Sequence, residues 1–182
     1  MPGDPSRITI RPAGPGDAGL LAELGATTFR DTFGVHNRPE DLEAYLAASF
    51  SPAQQAAELA SPGTCVLLAE HRDQAVGYAQ LVLAEPNLVG VPGPSVEIRR
   101  FYVVRAWQGR GLAQRLMAAS LDHARQLGGR TVWLGVWQHN ARAIAFYEKC
   151  GFRIAGTQEF RLGADRQTDW VMVLDLSAWG QP

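Results

Sequence analysis

Apolar and polar residues alternate at two periods along this chain, and the places where the period changes divide it into elements. Arg7-Ile-Thr-Ile-Arg11 alternates strictly, which marks a half-buried strand, and the breaker Pro12 to Asp17 ends it. Leu20, Leu21, Leu24, Thr27 or Thr28 and Phe29 then recur at helical spacing, with Asp17 placed to cap that helix and Gly34 to end it. Two more helices are expected over Pro39 to Phe50 and Pro52 to Ala60, the latter with proline in its first turn.

From Thr64 the period becomes two. Cys65 to Glu70 and Ala75 to Leu83 form a hairpin about the turn His71-Arg-Asp-Gln74, and Pro86 to Pro94 is a loop rich in proline and glycine. Val96 to Val104 is β-branched and aromatic, as a strand requires. After it Leu112, Leu116, Ala119, His123 and Leu127 trace one face of a helix that ends at Gly128-Gly129. Thr131 to Trp137 is a strand, and Asn140 caps a short helix over Ala141 to Cys150, closed by Gly151. Strands over Phe152 to Leu162 and Thr168 to Leu176 finish the chain, giving an α/β (α+β) pattern of about seven strands with helices between them.

Composition narrows what such a fold does. A chain of 182 residues with 46% hydrophobic content suits one domain spanning residues 1–182. A net charge of −1, with no run of like charges, argues against a nucleic-acid partner and a membrane-binding patch. No apolar run approaches the ~18 residues of a membrane span, and the start, Met1-Pro-Gly-Asp-Pro, lacks a signal region. Cys65 and Cys150 lie far apart without metal-ligand spacing and the four histidines are scattered, so a reduced, cytoplasmic protein with no metal site is expected.

The candidate chemistry lies between the strand at Val96 and the helix at Leu112. The first N–H groups of a helix lack intrahelical partners and carry the positive end of its dipole, so anions bind there. Gly109 and Gly111 let the backbone approach a bulky anion, and Arg105, Arg110 and Arg115 surround the loop with no carboxylate among them. The ATP-type loop is excluded because no lysine follows these glycines. The dinucleotide fingerprint fails because Gln114 stands where a third glycine or alanine is required.

Gln108-Gly109-Arg110-Gly111-Leu112-Ala113 resembles the Q/R-x-x-G-x-G/A signature of the GCN5-related N-acetyltransferase (GNAT) superfamily, which binds the pyrophosphate of coenzyme A there. Asn140, Ala143, Tyr147, Gly151 and Phe152 fall in register with that family's second segment, N-x-x-A-x-x-x-Y-x-x-x-G-F. Phe29 to Phe33, Pro39 to Leu46, Val136 to Asn140 and Gln167 to Met172 are similar, more narrowly, to bacterial spermidine/spermine N-acetyltransferases. The resemblance implies a mostly antiparallel sheet in which acetyl-coenzyme A, the co-substrate, is wedged where two central strands diverge. It also implies direct transfer of acetyl to a primary amine of a small molecule, and a homodimer. Transfer to protein N-termini or lysines, and a coenzyme A-binding regulatory module without turnover, are the alternatives.

Direct transfer needs an amine freed of its proton, a donor for the oxyanion and an acid for the leaving thiolate. The resemblance assigns the acid to Tyr147, seven residues after Asn140 and therefore on the same side of the helix; a core aromatic with a satisfied hydroxyl is the structural alternative. Glu97 is either the base or an ion-pair partner of Arg99 or Arg100. Simple alternation puts Glu97, Arg99, Phe101 and Val103 on one face unless a bulge intervenes. By the resemblance such a bulge is common, and Phe101, Tyr102, Val103 and Val104 contact the cofactor through main-chain atoms. With Gln108, Gly109, Arg110, Gly111, Leu112, Ala113 and Asn140 they make up the expected cofactor site. Asp31, Glu40, Asp41, Glu43 and Asp169 are the carboxylates available to a polycationic acceptor.

Overall fold

The computed structural model describes residues 7–84, 91, 93–163 and 165–179; the loop expected over Pro86 to Pro94 falls largely outside them. Seven strands form one sheet in the order β1-β2-β3-β4-β5-β7-β6. They are β1 (Ile8–Pro12), β2 (Thr64–His71), β3 (Gln74–Ala84), β4 (Ser95–Val103), β5 (Thr131–Trp137), β6 (Arg153–Leu162) and β7 (Asp165–Asp175). All neighbours are antiparallel except β4 and β5. The helices are α1 (Ala18–Phe33), α2 (Pro39–Ser49), α3 (Pro52–Ala60), α4 (Leu112–Gln126) and α5 (Ala141–Lys149).

Helices cover both faces, which explains why Val66 to Ala69 is buried without interruption. On one face Leu112, Leu116 and Leu121 of α4, with Tyr147 of α5, pack against Leu67, Ala79, Leu81, Val96, Ile98, Val132 and Leu134. On the other, Leu21 and Leu24 of α1 meet Val66, Leu68 and Tyr78. Phe29 gathers with Leu42, Leu46, Phe50 and Leu162. Full burial of each such side chain contributes about 1.5–3 kcal/mol. The β2–β3 hairpin closes through Arg72 and Asp73, at left-handed φ of 50° and 63°.

Two expected helix ends take another form. Asp17 does not cap α1: residues Pro15–Asp17 form a 3-10 turn that aims its carboxylate backwards. There it accepts from the Gly14 N–H at 2.8 Å and from Arg11 at 2.8 and 3.0 Å. Gly34 does end α1, but at an ordinary helical φ of −58°, because the chain tightens into a 3-10 turn over Gly34–His36 instead of reversing.

Two irregularities interrupt β4. Its pairing with β3 passes from Gln80↔Arg100 to Leu81↔Ile98, so Arg99 is an extra, bulged residue. Its parallel pairing with β5 runs only from Ser95↔Thr131 to Glu97↔Trp133, after which the two strands separate.

Candidate active site

Where β4 and β5 part, a cleft of about 1170 Å³ opens through the sheet. The bulge decides what points into it. Past Arg99 the alternation is reset, so Phe101 and Val103 pack with the α4 face. Arg100 and Tyr102 turn to the face of α1–α3, which Glu97 shares; the four-residue face that simple alternation implies is broken. Arg100 is fixed there by Glu58 of α3 at 3.1 Å and lies over the Phe50 ring at 4.6 Å.

Backbone groups form one wall. The Val104 N–H donates to Val76 O at 2.9 Å. By the alternation of an antiparallel ladder, Tyr102 and Val104 therefore direct their main-chain groups to β3, while Phe101 and Val103 direct theirs into the gap. The Gln108 side chain caps Val103 O at 2.9 Å. No β5 residue pairs with this stretch, so the remaining polar groups of Phe101 and Val103 are open to an extended ligand.

The loop after β4 has the geometry of an anion site. Gly109 and Gly111 take φ of 74° and 81°, left-handed values at which any Cβ is strained. Arg115 is bonded to Gly111 O, and the amides before it lie at the helix start without intrahelical carbonyls. The first turn of α4 carries no acid and no side-chain cap. These features fit a pyrophosphate.

Of the loop arginines, Arg105 lines the cleft and Arg110 is exposed, but Arg115 donates to Ile8 O at 2.8 Å, toward β1 and away from the loop. Phe101, Tyr102, Val103, Gln108, Gly109, Ala113 and Asn140 line the cleft. Val104, Arg110, Gly111 and Leu112 do not, and Leu112 is fully buried in the core.

Asn140 Oδ1 caps α5 by accepting from the Ala143 N–H at 3.1 Å. Two turns on, Tyr147 packs edge-on against Phe146, Phe152 and Phe101, with ring centroids 5.4, 5.9 and 6.3 Å away. It lines the cleft with no hydrogen bond among the described residues. Burial, and secondarily Cys150, push its phenol well above the ordinary value, so it stays protonated. Burial also raises the Cys150 thiol, the wrong direction for a nucleophile.

Glu97 lines the cleft with its carboxylate held by Arg99 at 2.9 and 3.1 Å. Of the other acids, Glu43 pairs with Arg30 at 3.1 Å, Glu40 with Arg38 at 3.9 Å, and Asp41 lies against Gly163; none of the three lines the cleft. Asp31 and Asp169 do, Asp31 exposed and Asp169 buried.

Sequence reasoning missed part of this wall. Tyr45 stacks on Phe29 at 4.7 Å, Phe160 stands edge-on to Tyr45 at 5.7 Å, and Gln158 lies beside them in β6. The available signal was the alternation of Gln158 and Phe160, but it does not say which face meets a cleft. Among the described residues no helix is long and apolar enough to cross a membrane, and no three potential ligand side chains cluster to hold a metal.

The model of the Acetyltransferase (GNAT) family matches residues 27–152. An uncharacterized N-acetyltransferase of Mycobacterium tuberculosis is 38% identical over 160 residues, covering 88% of this chain and 98% of the relative. The N-alpha-acetyltransferase RimI of the same organism is 35% identical over 151 residues, covering 80% and 89%. Among solved structures, the PaiA N-acetyltransferase of Thermoplasma acidophilum in complex with coenzyme A superposes with a TM-score of 0.75 at 17% identity, over 92% of this chain and 98% of that one. The spermidine/spermine N-acetyltransferase SpeG of Vibrio cholerae superposes with a TM-score of 0.65 at 20% identity, covering 96% and 95%.

Proposed function

The chain belongs to the acetyltransferase (GNAT) family of acetyl-coenzyme A-dependent N-acetyltransferases, and we propose that its acceptor is a small primary amine, with spermidine, spermine or a related polyamine as the class. The observation that carries the acceptor reading is the asymmetry of the cleft. Its α4 side offers amides and arginine to an anion. Its other side offers the aromatic rings of Phe29, Tyr45, Trp137 and Phe160 together with the carboxylates of Asp31 and Asp169. Aromatic faces and carboxylates attract an alkyl ammonium and repel the phosphates that the opposite side takes.

Bound acetyl-coenzyme A supplies the thioester whose carbonyl carbon the amine attacks. The gap-facing amides of Phe101 and Val103 hold the extended arm, and a carbonyl oxygen beside them is polarised as negative charge develops. Tyr147, kept neutral by burial, donates to the leaving sulfur. An amine with a pKa of about 10.4 arrives protonated, so a carboxylate must take its proton. Glu97 can do so only by surrendering its bond to Arg99.

The likeness to an N-alpha-acetyltransferase favours a second reading, in which the acceptor amine is a peptide N-terminus. Steady-state coenzyme A release with spermidine, spermine, putrescine, lysine and a short peptide separates the two. Preference for the polyamines is the expected result. Turnover with peptide alone would overturn the small-amine reading and establish the second one, and tight acetyl-coenzyme A binding with no turnover on any acceptor would overturn both.

A further inference from the structure

We propose that Asp169, not Glu97, is the carboxylate that receives the acceptor's ammonium and takes its proton. This inference rests on the acetyl-transfer reading above and adds a catalytic residue to it. Asp169 belongs to β7 and pairs with Trp137 of β5 and Gln158 of β6. It lines the cleft although only 8% of its surface is exposed, and its carboxylate has no ion-pair or hydrogen-bond partner among the described residues. A buried, partnerless carboxylate is unfavourable for folding, and a cation entering the cleft relieves it.

Gly135 makes room for this arrangement. A Cβ there would collide with Gln158 Nε2 and stand 3.3 Å from Asp169 Oδ2. The space left by the missing side chain is taken by the Gln158 amide, with the Asp169 carboxylate at its edge. Asp169 shares its face of the sheet with Trp133, Val171 and Val173, whereas Tyr147 packs with the core on the other face. Acid and base therefore stand on opposite sides of the sheet at one opening. Attack and departure at a carbonyl need the same separation, since the amine enters from one side and sulfur leaves by another.

The ionisable groups that share the cleft with Asp169 are Asp31 of α1, Tyr45 of α2, Glu97, Arg99, Arg100 and Tyr102 of β4, Arg105 of the loop after it, and Arg142, Tyr147 and Lys149 of α5. Both β4 arginines are already bonded to carboxylates, Arg99 to Glu97 and Arg100 to Glu58. Desolvation pushes the Asp169 carboxyl up to about 6. A carboxylate at its ordinary value would hold a proton taken from an ammonium too weakly, and this rise narrows the gap.

In the step so defined, the ammonium gives one proton to Asp169 and the nitrogen lone pair forms the C–N bond. The C–S bond breaks with its electron pair going to sulfur, which takes the Tyr147 proton. The second proton lost by nitrogen restores the phenol, and Asp169 releases its own to solvent, one net proton per turnover.

The test measures kcat/KM for the amine against pH in the wild type, Asp169→Asn and Glu97→Gln, with acetyl-coenzyme A affinity measured separately to show that each variant is folded. The expected result is a loss of about a hundredfold or more for Asp169→Asn at neutral pH. The rise of the wild-type rate through pH about 6 should vanish in that variant, its loss should shrink as alkaline pH frees the amine, and cofactor affinity should be unchanged. Glu97→Gln should lose far less and keep the rise. An Asp169→Asn enzyme with wild-type rate and pH profile overturns the role of Asp169 alone. A wild-type protein that acetylates no amine at any pH overturns that role together with the acetyl-transfer reading.

Discussion

The two sides of the cleft are built by different means. The cofactor side comes almost entirely from one run of chain, β4, the glycine loop and the start of α4, and it works through backbone amides. The side proposed for the acceptor is assembled from Asp31 and Tyr45 in the early helices, Trp137 in β5, Phe160 in β6 and Asp169 in β7, and it presents side chains. Amides are fixed once the fold exists, so the first side is rigid and suits one invariant co-substrate. Side chains from five elements can be exchanged singly, so under the proposed reading the second side is the one that selects the acceptor.

The largest expected effect tests the acceptor side. Asp169→Asn should lower kcat/KM by about 10²–10⁴ at neutral pH while leaving the KM for acetyl-coenzyme A in place. The same change should stabilise the fold. A carboxyl raised from 3.8 to about 6 binds its proton more tightly folded than unfolded, so its own contribution to wild-type stability is fully present below the lower value and is lost as pH rises through the upper one. The asparagine lacks that loss and should be more stable at pH 7.5 by up to about 3 kcal/mol. Melting curves of both proteins at pH 4 and 7.5 check the sign; a variant less stable at pH 7.5 would contradict the desolvation argument.

Tyr147→Phe comes next, with kcat reduced by about a hundredfold and the rise through pH about 6 retained, because acid and base stand on different sides. Unchanged turnover would leave Tyr147 as a packing residue. Gly111→Val is smaller: a β-branched side chain at φ 81° costs about 1–2 kcal/mol in the loop. The KM for acetyl-coenzyme A should rise roughly five- to thirtyfold, and the amine KM should not move. If both constants rise together, the two sides are not independent.

Asp31→Asn should have the smallest effect. An exposed carboxylate facing a cation contributes about 0.2–1 kcal/mol. The KM for spermidine should rise up to about fivefold and the KM for a monoamine should be unchanged. An equal shift for both would remove Asp31 from acceptor selection.

The seven strands, the five helices and the glycine loop were legible in the chain alone, because each is written in local signals such as period, caps and punctuation. Predicted spans such as Pro52 to Ala60 and Thr131 to Trp137 coincide with α3 and β5. The register of Asn140 with Tyr147 was equally local, being two turns of one helix. Misplaced details, the Asp17 cap among them, arose where a neighbouring group competed for the same atom: Arg11 and the Gly14 amide claim that carboxylate first. Long-range pairing and packing made Arg99 a bulge and kept Glu40, Asp41 and Glu43 outside the cleft. They also brought Gln158 into the space that Gly135 leaves, with Asp169, more than thirty positions from that glycine, at its edge. Strand pairing and side-chain burial join residues with no periodic relation along the chain, so a carboxylate's partners and desolvation exist only once the sheet has closed around it.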